Sequence, residues 1–310
     1  YKVMKVLFVG IGSIGTRHLK NLHTVANERG LSLDVTALRS SSRELPGETA
    51  RLVNRQISAL DDTVYDLAFI TNPTTLHHKA LEDLKGKANF FFIEKPIFED
   101  CIYDLNTLGL NEKNAYVACP MRYCGAYMKL KELLKDKKPF SVRIICSSYL
   151  PGWRPNTDYR KNYSAIKALG GGVTIDLIHE LDYMTDLFGF PEESYNFKGK
   201  YSDLEIDSDD LSVYISRYKD KICEVHLDYF GREYRRTCEV FLPEGTMEAE
   251  FGKGSVKLPD GRVINCNEEA NRRFVREMRN VLDIMAGKAE NINDVYKANK
   301  VLALTLGKEV

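Results

Sequence analysis

The chain has 310 residues, enough for one large domain or two ordinary ones. Apolar residues make up 44% and charged residues 28%, an ordinary globular balance. The 44 basic and 44 acidic residues cancel, which leaves no electrostatic footprint for nucleic acid or an anionic membrane, and no apolar run reaches the length of a membrane span.

The opening YKVMKVLFVG carries basic residues but runs into a glycine motif, without a signal peptide's apolar stretch and small-residue cleavage site. Its apolar part reads as a strand, and residues 14–28 have helical spacing. LDVTAL (33–38) and DLAFIT (66–71) read as strands, 76–85 as a helix, then NFFFIE (89–94) and AYVAC (115–119) as strands. Short apolar runs separated by helical segments predict a parallel sheet covered on both faces. Right-handed crossovers make such a sheet doubly wound.

Beyond residue 121 the pattern changes. A helix over 124–136 leads into the strand FSVRIICSSYL (140–150), followed by a polar, aromatic stretch over 151–169. Gly170, Gly171 and Gly172 then give flexible backbone before a helix over 173–188. Strand-like segments crowd 195–258, joined by short turns such as DGR, and predict an antiparallel sheet. Helices near 268–286 and 292–307 close the chain. The expected fold class is α/β: a Rossmann-type, doubly wound domain over 1–121, then an α+β domain over 122–310 with an open, mainly antiparallel sheet. The helix over 292–307 is expected to pack back on the first domain.

The seven cysteines, at 101, 119, 124, 146, 223, 238 and 266, are odd in number, widely spaced and without a C-x-x-C pair. They predict unpaired thiols in a reduced, cytoplasmic protein, and no spacing suggests a metal site.

Gly10-Ile11-Gly12-Ser13-Ile14-Gly15 is a G-x-G-x-x-G motif that directly follows a strand and opens a helix, the context a dinucleotide needs. Gly10 permits a tight turn, Gly12 lets the backbone approach a pyrophosphate, and Gly15 lets helix and strand pack closely. The helix N-terminus offers its N–H groups to the phosphates. The second strand ends in Arg39, Ser40, Ser41, Ser42 and Arg43, with no carboxylate to hold a ribose 2′-hydroxyl before Glu44. A guanidinium beside hydroxyls suits a 2′-phosphate and favours NADP over NAD. The alternative is that Arg39 stacks on adenine and either cofactor binds.

NFFFIEKP (89–96) places Lys95 just beyond the carboxyl end of a buried parallel strand, the edge where ligands bind in this architecture. Pro96 holds the turn, and Glu94 is expected to pair with a base and orient it. Burial would lower the pKa of a lysine there and suit it to proton transfer, while the plainer alternative is a solvated lysine at a strand end.

In order along the chain, VGIGSIG, TNPTTLHHKAL, EKP, PMRY and GGGVTIDLIHELDYM resemble the motifs of the Gfo/Idh/MocA family of NAD(P)-dependent oxidoreductases. The resemblance spans essentially the whole chain. It implies a Rossmann domain followed by a domain with an open sheet, often used to form dimers or tetramers. It implies cofactor contacts from Thr71, Asn72, Pro73, His77, Glu94 and Arg122, besides the glycine loop with Ser13 and Ile14. Lys95 is similar to the family's active-site lysine, sometimes joined to proline by a cis peptide, and His179 to its catalytic histidine. Asp176 precedes His179 by three residues, one fewer than in many members, and either spacing keeps both on one helical face. Met121 stands where asparagine is common.

The stretch SYLPGWRPNTDYRKNYSA holds Trp153, Arg154, Tyr159, Arg160 and Tyr163. Aromatic side chains stack on sugar faces and arginine forks onto carboxylate or phosphate. The stretch looks like that of family members acting on surface-polysaccharide sugars. The expected substrate is therefore a sugar, with or without a phosphate, nucleotide or carboxylate on it, with Asp176 holding it and Lys95 and His179 managing the proton. Trp153 as a plug between domains is the alternative. Two rivals share the fold: a tightly bound cofactor that oxidises and re-reduces the sugar transiently, as in glycosidase- or epimerase-like relatives, and a non-enzymatic nucleotide-sensing module.

Overall fold

The computed structural model describes residues 3–310, which form two compact units. The first unit runs to Pro120 and takes in Asn271–Asn299, and the second comprises Met121–Ala270 and Lys300–Val310.

The first unit contains β1 (Met4–Val9), α1 (Ser13–Glu28), β2 (Leu33–Leu38), the short α2 (Gly47–Ala50), β3 (Arg55–Ile57), β4 (Leu67–Ile70), α3 (His77–Asp83), β5 (Phe91–Ile93) and β6 (Ala115–Val117). The strands make one parallel sheet in the order β3-β2-β1-β4-β5-β6. The strand order reverses beside β1, the switch point where doubly wound sheets bind ligands. Phe8, Phe69, Phe92 and Tyr116 share one register row across four neighbouring strands. Their ring centroids lie 4.3, 5.0 and 5.6 Å apart, and all four are buried. Each such pair contributes about 0.5–1.5 kcal/mol beyond its area burial. This row accounts for the aromatic character of β5, which lies between β4 and β6. The polar, largely exposed β3 was not expected: an edge strand reading RQI carries no apolar signal.

The second unit begins with a 3₁₀ turn ending at Tyr123, then α4 (Gly125–Leu133), β7 (Ser141–Tyr149), α5 (Val173–Asp176) and α6 (His179–Phe188). Strands β8 (Glu193–Gly199), β9 (Leu211–Arg217), β10 (Ile222–Asp228), β11 (Phe230–Leu242), β12 (Gly245–Glu250), β13 (Ser255–Lys257) and β14 (Val263–Asn265) follow. With β7 they form an eight-stranded sheet in the order β14-β13-β12-β11-β7-β10-β9-β8. Only the β7–β10 pair is parallel. Along β7, Val142, Ile144, Cys146 and Ser148 are buried, while the residues between them are more exposed. One face of the sheet is thus covered and the other open.

Helices α7 (Arg272–Met285) and α8 (Val295–Thr305) complete the chain. Within the first unit α7 packs on α1: the Asn21 and Asn271 amides bond reciprocally at 3.1 and 2.9 Å, Arg279 forks onto Glu28 at 2.9 and 2.7 Å, and Arg29 meets Asp283 at 2.9 Å. The buried Glu277 accepts from the Tyr116 hydroxyl at 2.8 Å and the Cys119 amide at 2.7 Å. The contacts group 271–299 with the first unit and 300–310 with the second, where the sequence pattern placed 122–310 in the second domain and expected only the helix over 292–307 to pack back on the first. Apolar spacing marks a helix without naming its partner. Among the described residues no helix is long and apolar enough to cross a membrane, and no disulfide joins any of the seven cysteines.

Candidate functional site

β1 delivers the glycine loop to the start of α1. Gly10 has φ +85°, and a Cβ there would lie 2.9 Å from the Asn72 backbone. At Gly15 a Cβ would lie 2.6 Å from the Gly10 carbonyl oxygen. Packing inside the protein therefore requires both glycines. Gly12 is different, because a Cβ there meets no protein atom within 4 Å. The fold does not need glycine at 12, whereas close approach of a ligand to the backbone does. Gly12 is also the N-cap of a 16-residue helix with no side-chain cap and no acidic residue in its first turn. The first amides, from Ser13 and Ile14 onward, suit a phosphate.

The turn after β4 flanks this loop. The Thr71 hydroxyl donates to the Gly10 carbonyl at 2.6 Å and braces it. Asn72 Oδ1 is buried without a hydrogen-bond partner, and such an acceptor is costly until something donates to it. Pro73 starts the 3₁₀ turn that follows. At the end of β2, Arg39 donates to Gln56 Oε1 at 2.9 Å and to the Arg43 carbonyl, and Ser40 beside it is exposed. These groups fit a dinucleotide: orphaned acceptor, open glycine and uncapped helix lie along one sheet edge.

Lys95 is presented by a turn held from several sides. His18 of α1 lies 2.6 Å from Glu94 Oε1, and the Lys95 amide donates to Oε2 at 3.0 Å. Burial alone would raise the Glu94 carboxyl, but the His18 hydrogen bond and the charges of His18 and Lys95 outweigh it and hold the carboxyl below its ordinary value. The base expected beside Glu94 is thus His18, and Glu94 braces the turn. His77 is buried, with Nδ1 and Nε2 3.0 and 3.1 Å from the carbonyls of Ile97 and Asn72. Burial pushes its pKa down, so the ring is neutral, with one N–H to donate. It ties the turn after β4 to the turn after β5. The Lys95–Pro96 peptide is cis.

The second unit holds a cavity of about 510 Å³, lined by Ser148, Trp153, Asp176, His179, Arg232 and Tyr234 among others. This is within the size range of small-molecule sites. Asp176 is buried and accepts from the Tyr163 hydroxyl at 2.8 Å and from the Tyr229 hydroxyl. Burial and the Asp176 charge push both phenols up, so both remain donors. Between α5 and α6 the helix tightens: the amides of Ile178 and Glu180 bond to carbonyls three residues back, at 3.3 and 3.2 Å. That break starts α6 at His179, beside Asp176 in the cavity wall. The adjoining Glu180 is fully buried and receives Arg236 Nε at 2.6 Å and Nη2 at 3.1 Å, which pins this end of α6 to β11.

The glycine run before α5 is not a flexible segment. At Gly172, with φ +132°, a Cβ would lie 2.1 Å from Asp209 Oδ1. Asp209 in turn accepts from the Thr174 amide and hydroxyl at 2.9 and 2.5 Å. Close packing under Asp209 is what excludes a side chain.

No family model matches the sequence, and no curated protein matches it. Solved structures do match. Levoglucosan dehydrogenase, in complex with NADH and levoglucosan, matches with a TM-score of 0.83 over 99% of this chain and 96% of its own, at 15% identity. UDP-N-acetylglucosamine 3-dehydrogenase from Acidithiobacillus ferrooxidans matches with 0.75 over 99% and 96%, at 17% identity. Myo-inositol 2-dehydrogenase from Lactobacillus plantarum matches with 0.76 over 98% and 96%, at 19% identity. The chain shares its fold with these proteins.

The residues expected at the substrate separate into two groups. Trp153, Asp176 and His179 share the cavity, and Tyr163 reaches it through Asp176. Trp153 is 40% exposed and donates to Ser148 Oγ at 2.8 Å, so it is a cavity wall and not a buried plug. Arg160 pairs with Asp158 at 2.8 Å and Glu205 at 3.1 Å, and the Tyr159 hydroxyl accepts from the Glu205 amide at 3.1 Å. Both anchor the 151–169 stretch to residue 205 and do not line the cavity. Arg154 is exposed and also outside its lining.

Arg122, expected on the cofactor, is instead buried and bidentate on Asp182 at 2.9 and 2.7 Å, with Nη1 3.2 Å from Asp186. It ties the 3₁₀ turn to α6. Among the cavity residues that were not expected are Arg232, Tyr234 and Arg236 in β11. Their sequence, GREYRR, lies between two apolar strand segments and reads as a turn.

Proposed function

We propose that this protein is an NAD(P)-dependent oxidoreductase acting at a hydroxyl or keto carbon of a sugar or polyol. The observation that carries the reading is the cavity lined by both the buried Asp176 and the partly exposed His179, in a chain whose other unit leaves Gly12 open to a ligand. The matching structures include dehydrogenases of two sugars and of a polyol, which supports the substrate class. A bound nicotinamide would accept or give up a hydride at the substrate carbon. His179 takes the hydroxyl proton on oxidation and returns it on reduction, and Lys95 is the second proton-handling group. Asp176, oriented by Tyr163 and Tyr229, accepts a hydrogen bond from a substrate hydroxyl. Trp153 offers an aromatic surface to the sugar ring.

Arg39 and Ser40, at a strand end without a nearby carboxylate, favour NADP(H) over NAD(H). The odd number and wide spacing of the cysteines favour a reduced, cytoplasmic setting, and sugars for surface polysaccharides are the metabolic context the motifs suggest. The open face of the second sheet, with Ile145, Val213 and Ile215 among Arg143, Glu224 and His226, is the surface through which a homodimer or homotetramer would form. Substitutions His179→Asn and Lys95→Met test the chemistry. Loss of a general acid–base group lowers kcat by about 10²–10⁴-fold while NADPH binding, followed by its fluorescence, persists. The variant losing more identifies the principal proton carrier, and unchanged kcat in both removes the proton assignment.

A further inference from the structure

We infer that an excursion of β11, residues 231–234, is a recognition element for an acidic group on the substrate, with Arg232 contacting a carboxylate or phosphate carried by the sugar. The inference rests on the sugar-oxidoreductase reading and names its substrate class. β11 pairs with β7 at Phe230↔Tyr149 and next at Arg235↔Ser147. Between these pairs β7 advances two residues and β11 five, so part of β11 leaves the ladder. The excursion is held at its root. Asp228 Oδ1 accepts from the amides of Phe230 at 3.1 Å and Gly231 at 2.7 Å, while Oδ2 lies 2.9 Å from His226 Nε2. Gly231 admits no side chain, because a Cβ would lie 1.9 Å from Ser147 Oγ.

The excursion brings Arg232 and Tyr234 into the wall of the cavity that holds Asp176 and His179. The Arg232 guanidinium carbon sits 4.0 Å from the Tyr149 ring centroid. A guanidinium stacked this way is held flat, and its N–H edge stays available for a planar anion. Among the described residues no carboxylate pairs with Arg232. Of the other arginines near the site, Arg236 is neutralised by Glu180, Arg122 by Asp182 and Asp186, and Arg160 by Asp158 and Glu205, while Arg154 is exposed and outside the cavity lining. The cavity therefore presents one uncompensated cation on one wall and a carboxylate held by two phenols on another. An acidic substituent suits the first and sugar hydroxyls suit the second.

The test compares D-glucose, D-glucuronate and D-glucose 6-phosphate as substrates of the purified protein with NAD and NADP, and repeats the comparison with Arg232→Met and Gly231→Ala. Arg232→Met keeps an apolar stem against Tyr149, and Gly231→Ala displaces the excursion while keeping the arginine. The expected result is a preference for an acidic sugar in kcat/KM, expressed mainly in KM. The acidic-to-neutral ratio should fall about 10- to 100-fold in both variants, the loss of a charge-assisted hydrogen bond. The glucuronate and phosphate arms distinguish the two anions. Neutral and acidic sugars used equally, with the ratio unmoved by Arg232→Met, would overturn the inference and leave the dehydrogenase reading standing. If none of the three is oxidised, that reading fails for them, and calorimetric titration of glucuronate and glucose 6-phosphate into the protein decides the anion site. Binding that Arg232→Met weakens supports it, and no binding overturns it.

Discussion

Replacing Gly12 by alanine separates what the fold needs from what a cofactor needs. In the protein alone the new methyl meets no atom within 4 Å, and φ at this position is −87°, which alanine adopts without strain. Alanine is a poorer N-cap than glycine but also reduces the entropy of the unfolded chain. These effects oppose each other, so stability should move by less than about 1 kcal/mol. Cofactor binding should move far more. The methyl occupies the space through which a pyrophosphate oxygen approaches the first amides of α1. One lost hydrogen bond to a charged group costs about 1.5–3 kcal/mol, or roughly 10- to 150-fold in Kd. Gly15→Ala is the contrasting control: its Cβ would sit 2.6 Å from the Gly10 carbonyl oxygen, so it should destabilise the protein itself by about 1–3 kcal/mol. The assay is NADPH titration by fluorescence, paired with thermal melts without cofactor. A Gly12→Ala protein that melts normally and binds NADPH as tightly as the unsubstituted protein would refute the assignment of this loop.

Three further outcomes are expected. Glu180→Ala leaves Arg236 largely buried without its partner, which should cost about 3–5 kcal/mol in urea unfolding, and Glu180→Leu with Arg236→Met should recover much of it. The Glu94 carboxyl is held below its ordinary value of 4.5 in the folded protein. Its contribution to stability is therefore complete above that pH and is lost as pH falls through the folded-state value. Acid unfolding should be less steep in Glu94→Gln, and identical acid limbs would show that the His18–Glu94 pair contributes nothing. Arg39→Ala should shift the ratio of kcat/KM for NADP over NAD about 10-fold towards NAD, as expected for a lost charge-assisted contact, while an unmoved ratio removes Arg39 from cofactor selection.

The parallel sheet was legible because its strands are buried on both faces and write continuous apolar runs such as VLFV and FFFI. The glycine loop was legible because strand, motif and helix are contiguous. What the sequence hid is pairing over long separations. His18 and Glu94 are 76 residues apart, and Arg236 and Glu180 are 56 apart. Nothing local distinguishes these residues from solvated ones. The same limit misplaced the cation of the substrate cavity. Arg154 and Arg160 stand beside Trp153 in sequence, yet Arg160 is neutralised by Asp158 and Glu205, Arg154 lies outside the lining, and the arginines in the wall are Arg232 and the Glu180-paired Arg236. Arg232 comes from a register shift in β11, which periodicity reads as a turn. The run of glycines suggested flexibility for a related reason: only the fold reveals that Asp209 fills the space a side chain would take.

The most direct test of the account is hydride transfer itself. The purified protein would be mixed with NADP or NAD and a panel of neutral sugars, acidic sugars and polyols, and the absorbance of reduced nicotinamide followed. The account predicts net reduction of the cofactor with at least one sugar or polyol, slowed about 100-fold or more by His179→Asn or Lys95→Met. Cofactor bound without net reduction across the whole panel would contradict it.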